Sequence, residues 1–520
     1  MAYNSGKLLF ILIVAVLLSC IAAWVVAYRY RAVMQRLMRA PVIGTHETAT
    51  VAATANFSPP ALVSLDDNRR AGIQLTLVLI ALSFLLALTS AGIWYSVSFP
   101  GEPLPIKRIA AVALLHLWPM IPALGLMWRW SRKRLFAVLA LWCIGCFLIL
   151  LWRSIEPRPM ELVSALASEI GPGMAIVALM LLGNATRAVA PWLLLPFTGL
   201  AWASIVGTDI LAAMVEKGSP LIMSLAGWLG ANTVLVLFAL LPWAVAWWPL
   251  RRLGQALGRA YSRKWLSDLM VVFTTIWAIS ILEKAVTTFG SAGLYAVAMF
   301  LPLLWIPLVM SVYRRVQTPK GRPPTLLVLR VFQRDEQVRE LFDHVIERWR
   351  LNGNTVMIAG TDLAERTLDA EDIFTFLDGK LAERFIRTPA DVAPRIAAFD
   401  MAPDADGRYR VNECYCHDTT WQNALHALVE RSDVVLMDLR GFKAHNAGCR
   451  YEMEVLSKAA RPVHVVMLFD AQTDRAAASD TMGRDSLDRF VWLDATLIDT
   501  RKRREVLSAL FDYRLARPVT

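Results

Sequence analysis

Long apolar segments separated by clusters of Arg and Lys occupy the first 317 residues of this 520-residue chain. The first of them, residues 8–27, is long enough to cross the ~30 Å hydrocarbon core of a bilayer, because a helix rises about 1.5 Å per residue. The run is too long for a cleaved signal peptide, so we interpret it as an uncleaved anchor. A chain with this pattern is expected to fold in and around a membrane.

Similar segments follow, and together they predict an α-helical, polytopic membrane domain with about nine spans over residues 1–317. Residues 28–72 are expected to form a cytoplasmic linker, rich in Ala, Thr and Pro beyond about residue 40 and typical of a flexible spacer. We assign two passes to residues 174–213, because the basic residues 251–264 are then cytoplasmic. The predicted spans are 8–27, 73–97, 109–127, 135–152, two within 174–213, 220–248, 266–283 and 291–313.

Charge is distributed unevenly along the chain. Residues 1–320 contain 26 Lys and Arg against 11 Asp and Glu, whereas residues 321–520 contain 28 against 32. Basic residues between apolar runs are typical of the cytoplasmic loops of a bacterial-type inner-membrane protein, whose partner is the lipid bilayer. The mildly acidic second part argues against a nucleic-acid partner.

Residues 318–520 have the pattern of a separate, cytosolic domain. Short apolar runs alternate with helical periodicity, which predicts an α/β fold with a doubly wound, mostly parallel, flavodoxin-like sheet. No G-x-G-x-x-G or G-x-x-x-x-G-K-[ST] motif is present, which excludes the standard dinucleotide and P-loop phosphate sites. The predicted strands are 325–332, 355–359, 409–414 (as an edge strand), 434–437, 463–469 and 490–493, and residues 373–385 are predicted to be helical.

The most informative segment of this domain is residues 432–456. Val434–Met437 is a short apolar run typical of a strand that is buried on both faces. It is followed by Asp438 and Arg440, then by the loop Asn446–Gly448, and then by a predicted helix that carries Glu452 in its first turn. Ligands of open α/β sheets bind where strands end, so these residues are candidates for a binding site.

Residues Gly448 to Met453 read G-C-x-x-E-M. This segment resembles the W-C-x-x-E-L helix of Toll/interleukin-receptor (TIR) domains, and it is also similar to the nucleoside 2-deoxyribosyltransferases. In this chain Gly448 stands where the TIR family has Trp. The resemblance implies that Glu452 is the catalytic residue of an enzyme that cleaves the N-glycosidic bond of NAD or a nucleoside. It also implies self-association into a homo-oligomer.

Other polar residues at predicted strand ends are candidates for binding such a substrate. Arg330, Asp362 and Asp438 could hold hydroxyl or phosphate groups, and Arg440 could pair with Asp438 or Glu452. Asn446 belongs to the loop that is expected to fold back over this edge. We expect Glu452 to be partly open to solvent and within roughly 10 Å of Asp438 or Asp362. NAD or a nucleotide enters as substrate, and no separate cofactor is predicted.

Two alternatives to an enzyme stay open. A carboxylate at the start of a helix is favoured by the helix dipole, so Glu452 could be structural, and the domain a non-catalytic sensor or interaction module. Charged residues near the spans, such as Asp209 and Glu283, leave open a transporter or channel with a regulatory cytosolic domain. Cys414, Cys416, His417 and Cys449 could bind a metal only if the fold brought them together, and their spacing predicts no metal site.

The positive residues after the last apolar segment predict a cytoplasmic C-terminus, because Arg314, Arg315, Lys320 and Arg322 follow it directly. A reporter enzyme fused after Thr520 should therefore be active on the cytoplasmic side only. Periplasmic reporter activity would contradict the predicted orientation and the odd number of spans.

Overall fold

The structure is a computed structural model. It describes residues 5–38, 62–153, 159–180, 184–317, 321–331, 340–359, 375–376, 381–417, 419–459, 464–483 and 490–512. These residues form two compact units. One contains the described parts of 1–27 and 79–309, and the other contains those of 28–78, 310–368 and 375–520.

The first unit is helical, and three of its helices, α1, α2 and α11, continue into residues of the second unit. Among the described residues, six helices are long and apolar enough to cross a membrane: α1, α2, α5, α7, α9 and the run Gly293–Val316. The helices are α1 Ser5–Met38, α2 Leu65–Ser98, α3 Ile106–His116, α4 Met120–Met127, α5 Arg132–Arg153, α6 Pro159–Met180, α7 Asn184–Glu216, α8 Pro220–Leu229, α9 Ala231–Ser262, α10 Asp268–Ala292, a 3₁₀ segment Gly293–Leu304 and α11 Trp305–Val316.

The prediction of about nine spans is not supported by these residues. The predicted span 220–248 is divided at Gly230, whose φ of +84° ends α8 after ten residues, about 15 Å of helix. The predicted span 109–127 is a pair of short helices, α3 and α4, bent by 40°. If that pair counts as one broken span, the number rises to seven. Residues 28–38 and 65–72, predicted as linker, are helical.

The second unit is built on a seven-stranded sheet in which every neighbouring pair is parallel, in the order β3-β4-β2-β1-β5-β6-β7. This confirms the predicted parallel α/β sheet. Strand β4 is interior and not at the edge, because the two-residue strand β3 lies beyond it, beginning at the last residue of the predicted helix 373–385. The strands are β1 Thr325–Arg330, β2 Asn354–Ala359, β3 Phe385–Ile386, β4 Val411–Cys416, β5 Val434–Asp438, β6 His464–Phe469 and β7 Phe490–Asp494.

Helices cover both faces of the sheet, as a doubly wound topology requires. Helices α12 and α17 pack on one face, and α13 to α16 pack on the other, each over its own apolar cluster. Helix α12 is described from residue 340 to 349, and its central turn, Phe342–Ile346, is a π-helix. The others are α13 Val392–Ala397, α14 Trp421–Arg431, α15 Ala447–Lys458, α16 Arg475–Met482 and α17 Thr500–Leu510, with 3₁₀ turns at Leu381–Arg384 and Pro389–Asp391.

The second unit also includes the ends of helices that come from the apolar half of the chain, α1 and α2 among them. The hydroxyl groups of Tyr30, in α1, and Tyr415, in β4, lie 3.3 Å apart. Before α2, the backbone N–H of Val63 donates to the carbonyl of Arg322 at 3.2 Å. The α/β fold is therefore packed together with segments that precede it by about 300 residues in sequence.

The prediction that residues 434–437 form a strand buried on both sides is confirmed, because all four have 0% exposure. Val435→Asp should therefore lower the free energy of unfolding by roughly 4 kcal/mol or more, since it buries an unpaired charge. Leu497→Asp is the matched control, because Leu497 is 75% exposed. Chemical denaturation of both variants measures the difference, and equal stabilities would contradict the position of this strand.

Candidate functional site at the carboxyl edge of the sheet

The order of the strands defines where a ligand is expected to bind. From β1 the chain forms β2 beside it, continues to β3 at the edge and then to β4 between β3 and β2. It then returns so that β5 lies on the other side of β1. Ligands of open α/β sheets bind outside the carboxyl ends of the strands at such a reversal. Here the carboxyl ends are Arg330 of β1 and Asp438 of β5, which are direct register partners. The fold thus brings two of the predicted site residues together at the reversal.

Asp438 and Arg440 form a buried ion pair at this edge. The guanidinium group of Arg440 donates to both carboxylate oxygens of Asp438, from Nε at 2.9 Å and from Nη2 at 2.6 Å. Its Nη1 donates to Glu340 at 2.8 Å, and Arg440 is only 1% exposed. Burial alone would lower the pKa of Arg440, but hydrogen bonds and charge from Asp438 and then Glu340 raise it. Arg440 is thus held as a cation between two carboxylates.

Glu452 lies in the second turn of α15, on the helix face that also carries Cys449 and Leu456. Its side chain is 4% exposed, and Oε2 has no hydrogen-bond partner among the described residues. Burial raises the pKa of Glu452 to about 8, while the charge of Arg330 acts in the opposite direction. At neutral pH this carboxyl group is therefore mostly protonated.

Cys449 connects Glu452 with the strand ends. Its thiol donates a weak hydrogen bond to the backbone carbonyl of Arg330, with 3.8 Å between the two atoms. Burial raises the pKa of Cys449, and the charges of Glu452, Arg330 and Asp438 also act on the thiol. A buried thiol of this kind is not a nucleophile. Cys449 instead lies close enough to Glu452, Arg330 and Asp438 for each of them to influence its pKa.

Two expectations about this site are wrong. Glu452 was expected to be partly open to solvent, but helical periodicity places it on the packed face of α15. It was also expected in the first turn, and its place in the second turn removes the helix dipole as an explanation, since that effect decays within one turn. Of the two pairings predicted for Arg440, the structure has the one with Asp438.

Among the described residues Asn446 makes no hydrogen bond with this cluster, and Asp362 is not one of those residues. Asn446 is half-buried, and its Oδ1 accepts a hydrogen bond from the backbone N–H of Lys443 at 2.8 Å, which closes a turn before α15. Asp362 lies outside the described residues, as do the segments 332–339 and 360–374 that follow β1 and β2. Their part in the site stays a prediction.

Two residues that shape this edge were not predicted from the sequence. Glu340 belongs to α12 and reaches Arg440 over a separation of 100 residues. Asp470 directly follows β6, and its Oδ1 accepts a hydrogen bond from the backbone N–H of Gly441 at 2.9 Å. Gly441 has a φ of +72°, which favours glycine. Asp470 could have been found by the same rule that identified Asp438, a polar residue at the end of a predicted strand.

The second unit also contains a cavity away from this edge. A cavity of about 190 Å³ lies at the opposite, amino edge of the sheet, lined mainly by apolar side chains such as Val356, Phe399 and Met401. We place the candidate site at the carboxyl edge, because the strand order reverses there and the unpartnered oxygen of Glu452 belongs to the helix that follows β5. No three His, Cys, Asp or Glu side chains within the described ranges are arranged to hold a metal ion.

Comparisons of this chain with models of protein families, with curated proteins and with solved structures found no match.

The buried carboxyl group of Glu452 predicts a pH-dependent stability. Its pKa is about 8 in the folded chain and close to 4.5 when exposed, so the folded state holds a proton that the unfolded state loses between those values. The free energy of unfolding should therefore fall as the pH rises through this window. Glu452→Gln stays neutral, so its free energy of unfolding does not fall in this way. Relative to the wild type it should rise by on the order of 3 kcal/mol between pH 5 and pH 8.

Chemical denaturation of the full chain in detergent measures this difference in free energy of unfolding. Hydrogen exchange of the β1 and β5 amides serves as the readout. Glu454→Gln is the control, because Glu454 lies on the same helix and is partly exposed. Parallel pH profiles for the wild type and Glu452→Gln would show that the carboxyl group is not protonated in the fold.

Proposed function

We propose that this chain is a multi-pass inner-membrane protein whose C-terminal α/β unit is cytoplasmic and cleaves the N-glycosidic bond of NAD or a nucleoside. The observation that carries this proposal is the state of Glu452. It is a buried carboxyl group with an unpaired oxygen, next to Arg330 and at the strand reversal where ligands of such sheets bind. The resemblance of residues 448–453 to the catalytic helix of TIR domains supports the same role.

Hydrolysis of an N-glycosidic bond requires one carboxylate near the anomeric carbon. When the bond between C1′ of the ribose and the base nitrogen breaks, the electron pair leaves with the base and C1′ becomes an oxocarbenium-like cation. Ionised Glu452 would stabilise this cation until water adds and loses a proton. Nicotinamide is a good leaving group, because its positively charged ring nitrogen becomes neutral when it takes the pair.

Protonation of Glu452 is compatible with this role if the substrate itself is cationic. A positive nicotinamide ring close to a buried carboxyl group favours the ionised form, by the same attraction that Arg330 exerts. In the free protein the carboxylate is the major form only above its pKa of about 8. Arg330 and the Asp438–Arg440 pair would orient phosphate and ribose hydroxyl groups at the same edge.

A second candidate function is a non-catalytic module that senses a nucleotide or recruits a partner. The burial of Glu452, at 4% exposure, favours it, because a substrate has to reach a catalytic carboxylate. On this alternative Glu452 is a packed, neutral side chain and the charged groups of the edge bind a ligand without reaction.

A turnover assay separates the two candidates. The full-length protein in lipid nanodiscs should hydrolyse NAD or a nucleoside, and Glu452→Gln should lower kcat/KM by about 100-fold or more. Glu454→Gln should leave kcat/KM unchanged. Because kcat/KM reports the ionisation of the free enzyme, its rise with pH should have a midpoint near 8. Absence of turnover in the wild type, or full activity of Glu452→Gln, would contradict the enzymatic proposal.

A further inference from the structure

Helix α12 reaches the candidate site with its first described residue. Both carboxylate oxygens of Glu340 are engaged there, because Oε2 accepts from Nη1 of Arg440 at 2.8 Å and Oε1 accepts from the backbone N–H of Ile498 at 2.7 Å. Arg440 in turn donates two side-chain hydrogen bonds to Asp438. Glu340 therefore links the buried ion pair to the backbone of Ile498.

The other end of α12 is fixed to the beginning of α2. The side-chain amide of Asn68 donates to the carbonyl of Arg348 at 3.1 Å, and that of Asn352 donates to the carbonyl of Asp67, also at 3.1 Å. Asn68 and Asn352 are buried, with 3% and 7% exposure. The two bonds run in opposite directions between the same two segments, so they fix α2 and the end of α12 as a pair.

The middle of α12 is not a regular α-helix. Residues 342–346 form a π-helical turn, which accommodates an extra residue and is found frequently at functional sites. If the turn relaxed to α-helix while Arg348 stayed in place, Glu340 would move by about one residue rise, roughly 1.5 Å. A displacement of that size would break a charged hydrogen bond of 2.8 Å.

We infer that Glu340 is a positioning residue for the Asp438–Arg440 pair, and that Asp67 and Asn68 at the start of α2 hold it in place through α12. The inference rests on the proposed function in one respect, that this ion pair belongs to a ligand site. It adds that the first turn of α2, a helix apolar and long enough to cross a membrane, influences where the ion pair of that site lies.

Hydrogen–deuterium exchange of the full-length protein in nanodiscs tests the inference without any ligand. The amides of Ile498 and Arg440 are the reporters, because they donate to Glu340 and Asp438 respectively. In the double variant Asn68→Ala/Asn352→Ala both should exchange faster by about fivefold or more, while the β6 amides keep their protection. Asn352→Ala alone should show a smaller increase at the same two amides.

Asn412→Ala is the matched control. Asn412 is also a buried asparagine, and it makes two bonds with the backbone of Asp400 at 2.8 and 3.0 Å, neither of which involves α12. Its loss should leave the amides of Ile498 and Arg440 unchanged. Unchanged exchange in the folded double variant, or an equal increase in the control, would overturn the inference. A wild type that cleaves no NAD or nucleoside would overturn the proposed function alone, since the exchange experiment involves no turnover.

Discussion

The parallel pairing of β1 with β5 is the contact on which the second unit depends. It joins two strands that are about 100 residues apart, and it makes Arg330 and Asp438 neighbours at the same edge. It also creates the reversal of strand order beside which ligands of open α/β sheets bind. Helix α15, which follows β5, then has to pack beside this edge, and so brings Cys449 and Glu452 under the end of β1. The candidate site follows from one strand pairing and the helix after it.

Two kinds of acid meet at this edge. Buried Asp438 and half-buried Glu340 are paired with a cation, and the fork of donors on Arg440 compensates for the loss of water around Asp438. Glu452 lacks such a bidentate partner among the described residues, so it avoids the cost of a buried charge by holding a proton. Neighbouring acids with such different environments are typical of sites that use one group to bind and another to react.

Much of the second unit could be predicted from the sequence, because it depends on local patterns. The apolar run Val434–Met437 identified the buried strand, and the alternation of strands with helices identified a parallel sheet. Long-range effects could not be read in this way. The pairing of Glu340 with Arg440 depends on α12 lying over β5, and the two-residue strand Phe385–Ile386 is too short for a periodic signal. The burial of Glu452 could have been foreseen, because it lies three residues after Cys449 and four before Leu456 on one helix face.

The protonation state of Glu452 at neutral pH tests the central claim most directly. Infrared difference spectroscopy of the full chain, with Glu452→Gln as reference, separates the band of a protonated carboxyl group from that of a carboxylate. The account predicts that a protonated band is present at pH 7, is absent from the variant, and disappears when NAD binds. A carboxylate at pH 7 without ligand, or a protonated band that persists when NAD is bound, would contradict it.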